Sequence, residues 1–340
     1  MGGIRIDARP SWAVPTDVLG RAEGVAYSRC GQLLAVAQAE DGTVALFERA
    51  HREERFEARQ AGTLGGPHSG LDYPHDVDFS PDGRVLAVAN RESSAITFYA
   101  REGAEVRYGP RPTWTIARRP GRLAFTDAVK FVPPDGRFVA AVSLARNFVT
   151  FYRRSFLRRS RWGPRPCFVL EGPETRLGEP DGLAFTSDGR LLAVTNHGAG
   201  TVTIYARHGR APRYGPAPLV VLGAPDTFRC PHSVAFSPSD THLAISNAGG
   251  RAVLVYRVDL GSGEGRVAFS EAPVLELDAC DAGRFEARNR DNRREGGPKG
   301  IAFGGDCLAI CSEHLGLRVH RAEFVGGRAA PAAPLTPATA

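Results

Sequence analysis

The sequence predicts an all-β fold, a six-bladed β-propeller with four antiparallel strands per blade and an N-terminal strand that closes the last blade. Three observations predict it. A unit of about fifty residues recurs six times along the 340-residue chain. Each copy carries several short apolar runs separated by turn residues, and helical periodicity is nearly absent. The 39 glycines and 25 prolines supply frequent turns without reaching a low-complexity composition.

The copies begin at Glu23 (EGVAYSRCGQLLAVAQ), His75 (HDVDFSPDGRVLAVAN), Asp127 (DAVKFVPPDGRFVAAVS), Asp181 (DGLAFTSDGRLLAVTN), His232 (HSVAFSPSDTHLAISN) and Lys299 (KGIAFGGDCLAICS). An aromatic stands at the fifth position of each, as Tyr27, Phe79, Phe131, Phe185, Phe236 and Phe303, at intervals of 52, 52, 54, 51 and 67 residues. A charged insertion around Arg284 to Arg294 accounts for the long last interval.

Within a copy, a short alternating strand such as the one holding Val77 and Phe79 leads to a turn of the Pro81-Asp82-Gly83 kind. A second apolar strand follows (Val85 to Val88). A third ends near an aromatic: Phe47, Tyr99, Tyr152, Tyr205 or Tyr256, with His320 in the sixth copy. A fourth follows a recurring turn, Tyr108-Gly109-Pro110, Trp162-Gly163-Pro164 or Tyr214-Gly215-Pro216. Four strands per ~50 residues is a propeller blade.

The sixth copy stops after its third strand, near Glu323, and Ser11-Trp12-Ala13-Val14 is similar to the fourth-strand segment Thr113-Trp114-Thr115-Ile116. The N-terminal strand is therefore expected to complete the sixth blade and remove two open edges. Residues 1–326 are read as one propeller and residues 327–340, rich in Ala and Pro, as a disordered tail.

At 42% apolar and 24% charged residues, the composition excludes disorder for most of the chain. No stretch approaches the ~20 consecutive apolar residues of a membrane span, so no membrane partner is expected. The net charge of +6 is carried almost wholly by arginine, since Lys130 and Lys299 are the only lysines. The arginines are scattered through loops without a single basic stripe, which argues against a nucleic-acid partner. The densest run, Arg153-Arg154 to Arg158-Arg159 and Arg161, falls in a loop between two strands.

Cys30, Cys167, Cys230 and Cys280 are isolated, and Cys307 and Cys311 share one face of a strand. With no CxxC pair, these read as free thiols rather than a disulfide framework or a zinc site. The segment Met1 to Trp12 lacks an apolar core of the secretory kind, so a cytoplasmic location is expected.

The candidate site is the residue that opens each innermost strand: Glu23, His75, Asp127, Asp181, His232 and Lys299. It is ionisable in all six copies while its neighbours stay constant. The six should meet around the axis at one end of the channel, His75 opposite His232, Asp181 opposite Glu23 and Asp127 opposite Lys299. With neutral imidazoles the ring carries an excess of two negative charges, which favours a bound cation. Two imidazoles with carboxylates suit zinc, iron or manganese better than calcium.

His75, His232 and Asp181 are the expected metal ligands. Glu23 or Asp127 is the candidate general base for water or a substrate proton, and Lys299 the candidate oxyanion stabiliser. A self-neutralising plug, with Lys299 bonded to Glu23 and Asp127, is the non-catalytic reading of the same ring. Asn90, Asn196 and Asn247 end second strands and, with His197, are candidates to bind a polar substrate. Arg91, Glu92 and Glu313 should form the rim. His51, His68, His208 and His242 fall in loops or turns and are expected to be exposed.

The segments PHDVDFSPDGRVLAVAN and PHSVAFSPSDTHLAISN resemble the bacterial lactonase-type and YVTN-type propeller repeats, and the likeness runs through all six copies. The Pro74-His75 and Pro231-His232 pairs are similar to those of six-bladed peptidyl-hydroxyglycine lyase propellers, a resemblance that implies zinc-binding histidines at those positions. The expected function is a small-molecule enzyme at the channel mouth, a divalent-metal-dependent hydrolase, lyase or isomerase of a polar metabolite. The alternatives are a non-catalytic protein-interaction propeller, and a metal-free acid–base enzyme resembling the strictosidine-synthase-like group. No dinucleotide or phosphate-binding glycine pattern and no GxSxG elbow is present.

Overall fold

The computed structural model describes residues 3–49, 58–103, 107–158, 161–209, 211–223, 227–261, 266–280, 285 and 294–325. The expected tail and most of the charged insertion lie outside these residues. The strands form six antiparallel sheets; five are meanders in sequence order whose first strand faces the axis, and the sixth joins the last three strands to N-terminal ones. The innermost strands are Ala22–Tyr27, Pro74–Phe79, Val129–Val132, Pro180–Phe185, Pro231–Phe236 and Pro298–Phe303.

Ring closure takes the expected form and adds to it. Trp12–Val14 pairs with the last strand, Trp12 opposite Val319. A second N-terminal strand, Gly3–Ile6, pairs with the distal half of that same strand, Gly3 opposite Val325. Residues 3–14 and 317–325 thus share one sheet. Opening the ring requires breaking two ladders rather than one.

The apolar side chains divide into six clusters, one between each pair of neighbouring blades, instead of one central core. Trp162 shows how the repeat is used. It stacks on Phe98 of the preceding blade with centroids 4.7 Å apart and meets Phe131 edge-on at 5.3 Å. The recurring turns are fastened by hydrogen bonds that also recur: Tyr108 Oη donates to the Gly83 carbonyl and Tyr214 Oη to that of Gly189, both at 2.8 Å. Gly83 and Gly189 have φ of 66° and 69°, a region that favours glycine.

The axis is crowded. A Cβ on Gly24 would lie 2.5 Å from the His75 carbonyl oxygen, and one on Gly182 would lie 2.5 Å from that of His232. The residue after each site residue is small in most blades because neighbouring inner strands approach this closely. His242 corrects an expectation: it opens a second strand and is buried, with Nδ1 3.0 Å from Thr241 Oγ1.

Candidate active site

A local irregularity aims the ring residues. In five blades the ladder between first and second strands slips by one residue, for example between Pro74 and Asp76 and between Pro231 and Val234. Such a bulge re-aims a side chain, here that of the second strand residue. Proline suits the strand's first position because it needs no ladder donor there. Tyr73, Glu179 and Cys230, each just before such a proline, have φ of 54°, 52° and 53° and turn the chain toward the axis. In the third blade the strand begins only at Val129, so Asp127 precedes it.

All six ring residues are buried. The His75 and His232 rings stack with centroids 5.0 Å apart and planes 21° from parallel, so the copies three blades apart do meet at the hub. His75 Nδ1 lies 2.9 Å from the Asp127 carbonyl oxygen. A carbonyl only accepts, so Nδ1 carries the proton and Nε2 keeps its lone pair. Burial pushes the His75 pKa down to about 4, against the pull of Asp181 and Glu23. The imidazole is neutral at physiological pH.

Glu23 Oε2 lies 3.4 Å from His232 Nε2 and 4.0 Å from His75 Nε2. The same oxygen is ion-paired to Lys299 Nζ at 3.2 Å. Burial would raise the Glu23 pKa, but the charge of Lys299, the contacts with His232 and His75, and the charge of Arg21 hold it well below the usual carboxylate range. Glu23 is therefore a permanent anion and a poor base. Asp127 is its opposite. Burial, reinforced by Asp181 and Glu23, raises its pKa well above the usual value, although Arg91 opposes this. Neither of its carboxylate oxygens makes a hydrogen bond, and Arg91 Nε stands 3.5 Å from Oδ1.

Asp181 reaches both imidazoles, at 4.0 Å from His75 Nδ1 and 3.7 Å from His232 Nε2. Two triads have donor atoms within 4.8 Å of one another: Glu23, His75 and His232, and His75, Asp127 and Asp181. The first joins two imidazoles and a carboxylate oxygen that also faces Lys299 Nζ at 3.2 Å, a donor set that fits a divalent first-row ion. The expected grouping of the histidines with Asp181 is looser than their grouping with Glu23.

Lys299 Nζ donates to Glu23 Oε1 at 3.2 Å and to Glu295 Oε2 at 2.6 Å. Its expected partner Asp127 is held by Arg91 instead. Burial would lower the Lys299 pKa, but Glu23 and Glu295 raise it. His197 Nε2 lies 2.7 Å from Glu295 Oε1. Burial opposes its protonation, yet contacts with Cys230 and Glu295 and the charge of Asp181 raise its pKa to about 10.

Sequence reasoning missed Glu295, Arg21 and Tyr73. Arg21 Nε donates to Glu23 Oε1 at 2.7 Å. These residues also correct the charge argument. Lys299, Arg21, Arg91 and His197 already offset the carboxylates of the hub, so a metal is favoured by the donor set and not by surplus negative charge. Glu295 left one signal, an acid four residues before Lys299 in an arginine-rich insertion.

The asparagines correct another expectation. Asn90 Oδ1 accepts from Asp72 N at 3.0 Å and its amide donates to Thr97 Oγ1 at 2.9 Å. Asn196 does the same with Gly178 N and Thr203 Oγ1, at 3.1 and 3.2 Å. Asn247 Oδ1 accepts from Arg229 N at 2.7 Å. All three are buried. They fasten the loops that lead into the inner strands and are not free to bind substrate.

Beside the ring is a void of about 10 Å³, lined by Glu23, His75, Asp127, Asp181 and His232, with room for one water or ion. At the mouth a cavity of about 630 Å³ is lined by Arg21, Tyr73, Arg91, Asp181, His197 and Lys299, among others. That is the size of a small-metabolite site. Glu92 lines it as expected of the rim. Asp181 borders both spaces.

The family model described as lactonase, 7-bladed β-propeller, matches residues 22–113, the first blade and most of the second. No curated protein matches the chain in sequence. Among solved structures, the periplasmic gluconolactonase of Pseudomonas aeruginosa is similar at 18% identity and a TM-score of 0.57, over 89% of this chain and 88% of that one. A putative 6-phosphogluconolactonase of Bacteroides fragilis is similar at 14% identity and a TM-score of 0.55, over 89% and 86%. The Cps50 (Swd1) β-propeller domain from Myceliophteria thermophila reaches a TM-score of 0.59 at 13% identity, over 93% and 99%. The resemblance to lactonase-type propellers read from the repeats is thus found again, on a ring of six sheets. At such identities these structures share the fold with this chain, and activity has to be argued from the site.

Proposed function

We propose that the protein is a hydrolase of small, polar, anionic lactones that works at the channel mouth. One observation carries this reading: the stacked imidazoles of His75 and His232, with Glu23 and Asp181 beside them, adjoin a cavity whose wall includes Arg21, Arg91 and Arg294. The lactonase-type match and the gluconolactonase and putative 6-phosphogluconolactonase neighbours support the substrate class.

In this reading Arg91, half-buried at the wall, pairs with the substrate's anionic group. Asp181 takes a proton from water, whose oxygen adds to the lactone carbonyl carbon. Lys299 stabilises the oxyanion, and Asp127 gives its proton to the ring oxygen as the carbon–oxygen bond breaks, leaving a hydroxy acid. Proton exchange with solvent resets the two aspartates. Glu23, His75 and His232 would hold a zinc, iron or manganese ion, which supplies Lewis-acid polarisation when bound. Free cysteines accord with a cytoplasmic setting.

The test is metal content and turnover of untagged protein on gluconolactone and its 6-phosphate. Stoichiometric metal and turnover, both lost in His75→Ala and His232→Ala, are expected, with a larger KM for the phosphorylated substrate in Arg91→Ala. Turnover by metal-free protein would favour the acid–base alternative, for which the Lys299–Glu23 pair speaks. Neither metal nor turnover would leave a protein-interaction propeller.

A further inference from the structure

The channel has a second face, opposite the ionisable ring. It is built from the turns after the first strands and the hairpins after the third strands, which lie side by side: Arg101 N bonds the Arg84 carbonyl at 2.8 Å and Arg154 N that of Arg137 at 2.7 Å. In the third blade this hairpin carries two exposed apolar side chains. It is closed by the Arg154–Trp162 bridge and by Ser155 N bonding the Arg161 carbonyl at 2.7 Å. At its tip stand Phe156, 98% exposed, and Leu157, 88% exposed. Among the described residues these two neighbours are the most exposed large apolar side chains.

The tip is ringed by cations. Arg153 and Arg158 are exposed and Arg154 is partly so, while Arg137 sits exposed on the adjoining turn. None of these four makes an ion pair with another described residue. Arg161 lies over the Trp114 ring at 5.0 Å. Adjacent exposed apolar side chains mark a contact surface. Unpaired arginines around them add attraction for anions that falls off within about 10 Å at moderate salt.

We propose that this hairpin is a peripheral contact site for a bilayer surface rich in anionic lipid. Phe156 and Leu157 enter the boundary between headgroups and acyl chains, and the surrounding arginines pair with lipid phosphates. A nucleic acid would use the arginines but has no use for Leu157 at the tip. The expectation of no membrane partner followed from the lack of an apolar span, which peripheral contact does not need. The site lies on the face away from the cavity and stands independently of the lactonase reading.

The test is flotation of the full-length protein with two kinds of vesicle, phosphatidylcholine alone and phosphatidylcholine mixed with phosphatidylglycerol. Binding to the mixed vesicles that weakens as salt rises is expected. The double variant Phe156→Ser, Leu157→Ser should weaken it at least about tenfold without lowering the melting temperature, because neither side chain is packed. Arg154→Gln with Arg158→Gln should weaken it most at low salt. Equal binding to both vesicles, binding that the double variant leaves intact, or tighter binding to mixed-sequence RNA or DNA than to vesicles would each overturn the proposal.

Discussion

Replacing Glu295 by alanine should loosen the hub by a predictable amount. Its carboxylate accepts from Lys299 at 2.6 Å and from His197 at 2.7 Å, and all three side chains are buried. Removing one member of a buried ion pair costs about 3–5 kcal/mol, because the cations left behind stay desolvated. At an unfolding entropy of about 2.1 cal/mol/K per residue, that lowers the melting temperature of a chain this long by roughly 4–7 °C. The pair also sets the response to pH. The His197 pKa is raised to about 10, from roughly 6.5 in an unfolded chain. Its contribution is therefore complete below about pH 6.5 and is lost as pH rises toward 10. Glu295 works in the opposite sense. Burial would raise its pKa, but the bond to His197 and the charge of Lys299 lower it, so its contribution is lost only as pH falls below the ordinary carboxylate range. Glu295→Gln keeps a hydrogen-bonding side chain but not the charge. It should lose less stability than alanine near pH 7 and show a shallower alkaline decline than the wild type. Differential scanning fluorimetry from pH 5 to 10 measures both. A Glu295→Ala melting temperature within about 1 °C of wild type, or parallel alkaline slopes in wild type and Glu295→Gln, would refute the coupling.

Three further outcomes are expected. Asn90→Ala strands the Asp72 amide and should cost about 1–3 kcal/mol, with KM unchanged in steady-state assays, because the side chain serves a loop and not the substrate. Gly24→Ala places a methyl against the His75 carbonyl and Asp76 Cα; strain of about 1–3 kcal/mol should appear in urea titrations, together with weaker metal retention in dialysis. Trp162→Ala empties the contact between the second and third blades and should cost about 3–5 kcal/mol by thermal melting.

Much of the site was legible because a repeat converts spacing into position. Aligning the six segments puts His75 and His232 on opposite sides of one axis, and their rings do stack. The aromatic and turn positions were legible for the same reason, each repeated with its neighbours. Glu295 has no counterpart in other copies, so alignment offered no handle on it. Arg21 precedes the aligned segment by two residues and was overlooked at its edge. The asparagines misled because an amide ending a strand looks alike whether it faces a cavity or a backbone loop.

Local pattern was enough to establish strand order, blade number, ring closure and the ring of ionisable groups, because all of these follow from short-range alternation and regular repetition. The division of labour within the ring was not available at that level. Glu23 and Asp127 are both buried carboxyls at equivalent positions, yet one lies beside Lys299 and Arg21 and the other lies farther from the nearest cation. Which carboxyl holds a proton depends on distances of a few ångströms between residues far apart along the chain, and those distances exist only once the six sheets have packed around the axis.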